Sequence, residues 1–317
     1  MFQEIIYWII YQISGLQPTT KLAQSINFFI YDTIKILLLL FVMISVIGFL
    51  RTYLPQKKVK NWLKTKSPFG NIVASSFGAV TPFCSCSSIP IFLGFLEAGI
   101  PLGVNFSFLI TSPLVNEYLV VLMFGFFGWK ITLLYVLFGI LIGVVSGLVL
   151  GKMKLERHLV KDLVAKKIED KKYTSSKQRI YYGLNEAKSI TKKVWLWIII
   201  GVGIGAIIHN YIPQEVIQSI VSKGGILTVP LAVLLGIPMY GSCAAIVPIA
   251  VVLFEKGVPL GTALAFMMAT AALSLPEAVI LRRAMKLKLI LIFFSIVALA
   301  ILVTGYLFNF IFRLNLF

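Results

Sequence analysis

The stretch between Lys130 and Lys152 limits this chain most. It holds no charged residue and is long enough to cross a hydrocarbon core of about 30 Å as a helix. Apolar runs of span length also lie at about 26–50, 101–126, 193–211, 258–281 and 289–312. Hydrophobic residues make up 59% of the chain and charged residues 13%, whereas a soluble chain carries roughly a quarter charged residues. So few charges do not cover a water-facing surface. The two-residue alternation of a membrane barrel is missing. The spans are therefore helical, because only helices and closed barrels satisfy every backbone polar group inside lipid. The expected fold is an all-α polytopic membrane protein with about six transmembrane helices. Residues 2–16, Phe2 to Leu16, are apolar and aromatic but short, and read as an interfacial helix or a short span. Glu4 and the lack of a basic start argue against a cleaved leader.

Two regions do not read as simple spans. In 70–97, the tract Thr81-Pro82-Phe83-Cys84-Ser85-Cys86-Ser87-Ser88-Ile89-Pro90 sits in the middle. Each flank has about ten apolar residues, half of what a span requires. The region 225–254 is broken in the same way at Pro238-Met239-Tyr240-Gly241-Ser242-Cys243. Two of the spans are also interrupted. Thr111-Ser112-Pro113, then Asn116 and Glu117, break 101–126, while 258–281 carries Thr270, Ser274, Pro276 and Glu277.

The charges decide how these pieces lie. The formal net charge is +17, from 29 Lys and Arg against 12 Asp and Glu. Most of the basic residues fall in 51–69, 152–192 and 282–288, each beside apolar runs. That placement is what the positive-inside rule produces, and it argues against nucleic acid as the partner. If 70–97 crossed the membrane, three spans would part 51–69 from 152–192 and put them on opposite sides. As a re-entrant broken-helix hairpin it leaves both cytoplasmic. Carried onward, 193–211 exits, 225–254 dips in from the far side, and 258–281 returns to place 282–288 inside. The expected organisation is an N-terminal membrane repeat (1–151), a basic cytoplasmic linker (152–192) and a C-terminal membrane repeat (193–317), inverted relative to the first.

The halves align directly. Cys86-Ser87-Ser88-Ile89-Pro90, running to Glu97-Ala98-Gly99-Ile100-Pro101-Leu102-Gly103, matches Cys243-Ala244-Ala245-Ile246-Val247-Pro248, running to Glu255-Lys256-Gly257-Val258-Pro259-Leu260-Gly261. With two single-residue insertions, Thr111 faces Thr270 and Glu117 faces Glu277. Cys, Pro, Gly and Glu agree in order, which points to duplication, and inverted repeats with broken helices are a transporter pattern.

Broken helices expose backbone N–H and C=O groups that lipid cannot satisfy, so they line protein or a wet cavity. The hairpin tips are thus the candidate substrate site, with Cys84, Ser85, Cys86, Ser87, Ser88, Tyr240, Ser242 and Cys243. Thr111, Ser112, Asn116, Thr270 and Ser274 line the same cavity, or else hydrogen-bond between helices. Thiolates suit soft electrophiles, so Cys84, Cys86 and Cys243 could hold a soft metalloid; they read equally as small packing residues. Intramembrane Glu117 and Glu277 are candidate proton carriers. Asp32 and Lys35, three apart, pair on one helix face. Glu97 and Glu255 read as solvated turn residues, and lone His209 as structural. No nucleotide-hydrolysing or zinc-protease motif is present, so energy comes from a gradient or a partner ATPase. No cofactor is expected.

The tract from Thr81 to Pro90, with Thr111-Ser112-Pro113-Leu114-Val115-Asn116-Glu117 and the Gly241-Ser242-Cys243 copy, resembles the predicted permease family that includes the ArsP organoarsenical exporters and YraQ-like proteins. The resemblance covers nearly the whole chain. It implies efflux of trivalent organoarsenicals from the cell across the inner (plasma) membrane. Cys84 and Cys86 stand at the motif cysteines and Cys243 supplies a third thiol. The reading is a secondary permease working by alternating access, with the lipid bilayer and a small solute as partners and the oligomeric state left open. A carrier or channel for another solute, such as a sulfur-containing anion, is the first rival. An intramembrane enzyme is a remote second, since no His lies in an expected core position beside a Cys or Ser nucleophile.

Overall fold

The computed structural model describes residues 20–52, 68–81, 85–97, 99–153, 155–160, 175–211, 225–239, 243–255, 257–282 and 284–314. The side chains of Ser85, Cys86, Ser87 and Cys243 are not among those described. The segment 2–16, Cys84, Tyr240 and Ser242 lie outside the described residues.

Among the described residues the elements are helical, with a single isolated bridge between Leu159 and Met285. They run α1 (Lys21–Arg51), α2 (Pro68–Val80), α3 (Ser85–Glu97), α4 (Leu102–Leu114), α5 (Glu117–Lys152), α6 (Ser176–Tyr211), α7 (Thr228–Gly236), α8 (Cys243–Glu255), α9 (Leu260–Ala272), α10 (Leu275–Leu281) and α11 (Leu287–Arg313). Three described segments are long and apolar enough to cross a membrane: Leu119–Lys152, Leu260–Leu281 and Leu287–Arg313. The outer face of Leu119–Lys152 is apolar. Leu133, Leu137, Leu141, Val145 and Val149 recur every fourth residue along α5, and all are exposed. So large an apolar stripe is stable only against lipid or a partner.

Two helices are buried on every side: all thirteen residues of α4 and all thirteen of α9. At 1.5 Å per residue each is only about 20 Å long, too short to cross by itself. Each stops in the protein's interior, and after two intervening residues the chain restarts as a helix, α5 after α4 and α10 after α9. The flanking helices α2, α3, α7 and α8 have 13, 13, 9 and 13 residues and are too short as well. α2 and α3 pack on α4, and α7 and α8 pack on α9.

The repeat is visible in the backbone, and it needs no insertion. Gly99 and Gly257 both take positive φ, 71° and 87°, at the turn before the buried helix. Pro101 and Pro259 cap those helices with φ −54° and ψ 138° and 139°. Helices α3 and α8 start at 85 and 243, and α4 and α9 at 102 and 260. In each pair the second number is the first plus 158. The register survives the break, since Val120 N–H donates to Asn116 O and Ala278 N–H donates to Ser274 O. Further on, α5 breaks at Gly128 (φ 77°), the sister of Lys286, which caps α11.

Two helix pairs matched by this offset lie antiparallel in their contacts. The Arg179 guanidinium donates to Thr52 O at 3.0 Å, a side chain at Gly183 would meet Ser45 and Phe49, and Gly203 lies against the Phe29 ring. α1 and α6 are therefore a head-to-tail pair. At one end of the α5–α11 pair, Lys286 N–H donates to His158 O at 2.9 Å and Val160 N–H to Ala284 O at 3.0 Å. Elsewhere along it Phe138 meets Phe308 with ring centroids 5.2 Å apart. These contacts also join basic segment 51–69 to the linker and the linker to 282–288.

Helix α6 begins at Ser176, well before the span start expected at 193. The polar stretch 176–192 continues the helix because it lies along the end of α1, where Gly183 allows close approach and Arg179 satisfies a terminal carbonyl.

Candidate functional site

The two interior helix breaks carry the polar groups. At the first, Pro113 removes a backbone donor inside the last turn of α4. The freed end is met from outside: Tyr135 of α5 donates its hydroxyl to Leu114 O at 3.0 Å. Ser112 and Asn116 are buried beside it. Thr111 donates back to Ser107 O at 2.9 Å. The end of α2 lies alongside, so that a Cβ at Gly78 would come 3.2 Å from Ser112 N and 3.0 Å from Phe108 O. Thr81, one residue past α2, donates to Phe77 O at 2.8 Å.

The second break is built likewise. Leu275 N–H, at the start of α10, donates to Ile237 O at the end of α7, 3.1 Å away. Thr270 donates to Phe266 O at 2.9 Å, and its Oγ1 would lie 3.1 Å from a Cβ at Gly236. Ser274 and Glu277 are buried there. The halves then interlock: α3 packs on α10, α8 on α5, and α4 on α9. Helices α3 and α8 thus each lie against the other half's helix beyond its break.

The candidate residues therefore distribute as follows. Thr111, Ser112 and Asn116 gather at one break, and Thr270, Ser274 and Glu277 at the other; Ser88 is buried on α3. Ser85, Cys86, Ser87 and Cys243 occupy the first turns of α3 and α8. Among the described residues no three His, Cys, Asp or Glu side chains form a metal-binding group.

Three pairings require correction. With the offset of 158, Thr111 matches Ala269 and Ser112 matches Thr270. Glu117 matches Leu275, and Glu277 matches Leu119. The two glutamates are not equivalent. Glu117 is exposed at the start of α5, whereas Glu277 is 2% exposed. Cys243 likewise matches Ser85 rather than Cys86. Aligning like letters introduced insertions that the helices do not contain. Tyr135 was not anticipated; its signal was the one phenol inside the run 131–151, where Thr132 and Ser146 are the other hydroxyl side chains.

A family described as a predicted permease, of the ArsP type, matches residues 21–310. The chain belongs to this family of membrane permeases. A protein of Streptococcus mutans, named as a subunit of a two-component membrane permease complex, is 29% identical over 178 residues. That match covers 55% of the permease described here and 58% of the relative's length. A UPF0718 protein of Methanocaldococcus jannaschii is 22% identical over 299 residues, covering 76% of this permease and 82% of the relative. No solved structure matches.

Proposed function

We propose that this permease is a secondary transporter that exports a small solute by alternating access, not an enzyme. Its two membrane repeats lie inverted in the inner (plasma) membrane, with 51–69, 152–192 and 282–288 cytoplasmic and the re-entrant hairpins entering from opposite faces. The observation that carries this reading is the pair of wholly buried helices, α4 and α9, that both stop inside the protein among buried hydroxyl and amide groups. Backbone at a break is tolerated within a membrane only where protein or a wet cavity satisfies it, and paired breaks at a repeat interface are where transporters hold their cargo. Exposed Phe124, Phe126 and Trp129 surround the Gly128 turn, while its sister turn carries Arg282, Lys286 and Lys288. Aromatic residues favour the interface and cations the cytoplasmic side, which fits the inverted placement.

The proposed cargo is a trivalent organoarsenical, with Cys84, Cys86 and Cys243 as soft ligands. Cells lacking their own arsenical exporters and expressing this chain should survive methylarsenite. Single Ala replacements of the three cysteines should lower that resistance toward the empty-vector level. Full resistance in all three variants rejects thiol ligation. It would favour the second reading, a sulfur-containing anion held by backbone N–H groups where α3 and α8 begin.

A further inference from the structure

The two halves build their breaks on the same backbone register but set different side chains there, and one difference puts an acid in a buried position. Leu119, two residues into α5, is 0% exposed, and its sister, two residues into α10, is Glu277 at 2% exposed. The same backbone, hydrogen-bonded in the same register, accepts leucine in one copy and a carboxyl in the other. The fold therefore has no structural need for an acid there. A buried carboxylate is costly, and one kept at membrane depth is a mark of function. Among the described residues Glu277 is the only buried acid; Asp32 is half-buried, and Glu117 and Glu255 are exposed.

We infer that ion coupling in this permease is confined to the second repeat, with Glu277 as the one carboxyl that gains and loses the driving proton. Glu117 takes no part. The inference rests on the transporter reading. The step is a simple proton exchange: the carboxyl O–H bond breaks, the proton passes to water on one side, and the O–H re-forms with a proton from the other. No oxidation accompanies it. Titratable groups on the elements packed against α10 are Cys86 and Glu97 on α3, and Lys177, Arg179, Tyr181, Tyr182, Glu186, Lys188, Lys192, Lys193, His209 and Tyr211 on α6, with Arg282 just beyond α10 itself.

Leucine at 277 copies the first repeat, so Glu277→Leu should melt in detergent at or above the wild-type temperature, as replacing a buried charged group by an apolar one often allows. Infrared difference spectra of the purified full-length protein across a pH titration provide the direct test. A carbonyl stretch at the higher frequency of a protonated carboxyl in an apolar site, set apart from the bands of the water-exposed acids, should appear and vanish with pH in wild type and Glu117→Gln, and be absent from Glu277→Gln and Glu277→Leu. Persistence of that titrating band in both Glu277 variants, or its absence from wild type, overturns the inference. In everted vesicles, an interior-acid gradient should raise methylarsenite uptake by wild type and Glu117→Gln. Glu277→Leu should lose the gradient dependence entirely; uptake still driven by the gradient in that variant overturns the inference too. If wild-type vesicles move no methylarsenite, the cargo assignment fails, and the spectra alone decide the proton site.

Discussion

Membranes from cells producing Gly147→Val should contain little folded protein, whereas Gly125→Ala should accumulate as wild type does. Gly139, Gly143, Gly147 and Gly151 recur every fourth residue and so form one face of α5. Against that face α4 sets Val115, Thr111, Ser107 and Gly103 in turn. Small residues at this spacing let two backbones approach closely, and in lipid such packing replaces the hydrophobic effect between helices. A Cβ at Gly147 would lie 2.7 Å from Gly103 O and 2.9 Å from Ser107 N, and would collide with Ser107 Oγ. Two of those atoms belong to the backbone of a helix buried on all sides and cannot swing away. Overpacking a core costs typically 1–3 kcal/mol and sometimes more; with backbone as the obstacle, about 3 kcal/mol or more is expected here. A Cβ at Gly125 meets nothing within 4 Å, which makes it the control for changing a glycine on the same helix. The measurement is the monodisperse yield after detergent extraction. A Gly147→Val yield equal to that of Gly125→Ala would show that the glycine face does not hold α4 to α5.

Asn309→Ala should lower the melting temperature in detergent, with a loss of about 1–3 kcal/mol for a donor left unmet. The second repeat lacks the glycine ladder. Val297 and Ile301 stand where the first repeat has Gly139 and Gly143, and only Gly305 remains close to α9, its Cβ position 2.7 Å from Val229 and 2.9 Å from Ala265. A polar clamp takes over beyond it. Asn309 Oδ1 accepts the Gly261 N–H at 2.7 Å, and its Nδ2 donates to Thr262 Oγ1 at 3.2 Å. Thr262 donates in turn to Thr228 Oγ1 at 3.3 Å, tying α7 into the clamp. The Gly261 N–H belongs to the first turn of α9 and has no acceptor within its own helix. Without Asn309 it loses its partner where α9 meets α11. An unchanged melting temperature in Asn309→Ala would mean that water or backbone rearrangement replaces the clamp at no cost.

The sequence made the membrane class and the helix breaks readable because both depend on local chemistry. Absence of charge over a span length has one physical meaning, and Pro113 or the Thr81–Pro90 tract cannot continue a helix without disturbance. The bend at Gly128 fell between two runs that the sequence already separated. The register of the repeat was harder. Matching Glu117 to Glu277 and Cys86 to Cys243 follows identical letters, but helix phase is fixed by the turns at Gly99 and Gly257 and by their proline caps, which require one constant offset. The glycine ladder was present as a spacing of four but carried no message until α4 was placed against it. The asymmetry at Leu119 and Glu277 was hidden for the same reason, since it appears only when sister positions are assigned by backbone geometry.

Thiol labelling from the two sides of the membrane tests the inverted arrangement most directly. In a chain whose Cys84, Cys86 and Cys243 are replaced by Ser, single cysteines are placed at Ala98 and Lys256, beside the sister turns at Gly99 and Gly257. A maleimide that cannot cross the membrane is applied to intact cells and to everted vesicles. The Ala98→Cys chain should react only in everted vesicles and the Lys256→Cys chain only in intact cells. Reaction of both from the same side would contradict opposed hairpins, and the transport reading built on them would fall.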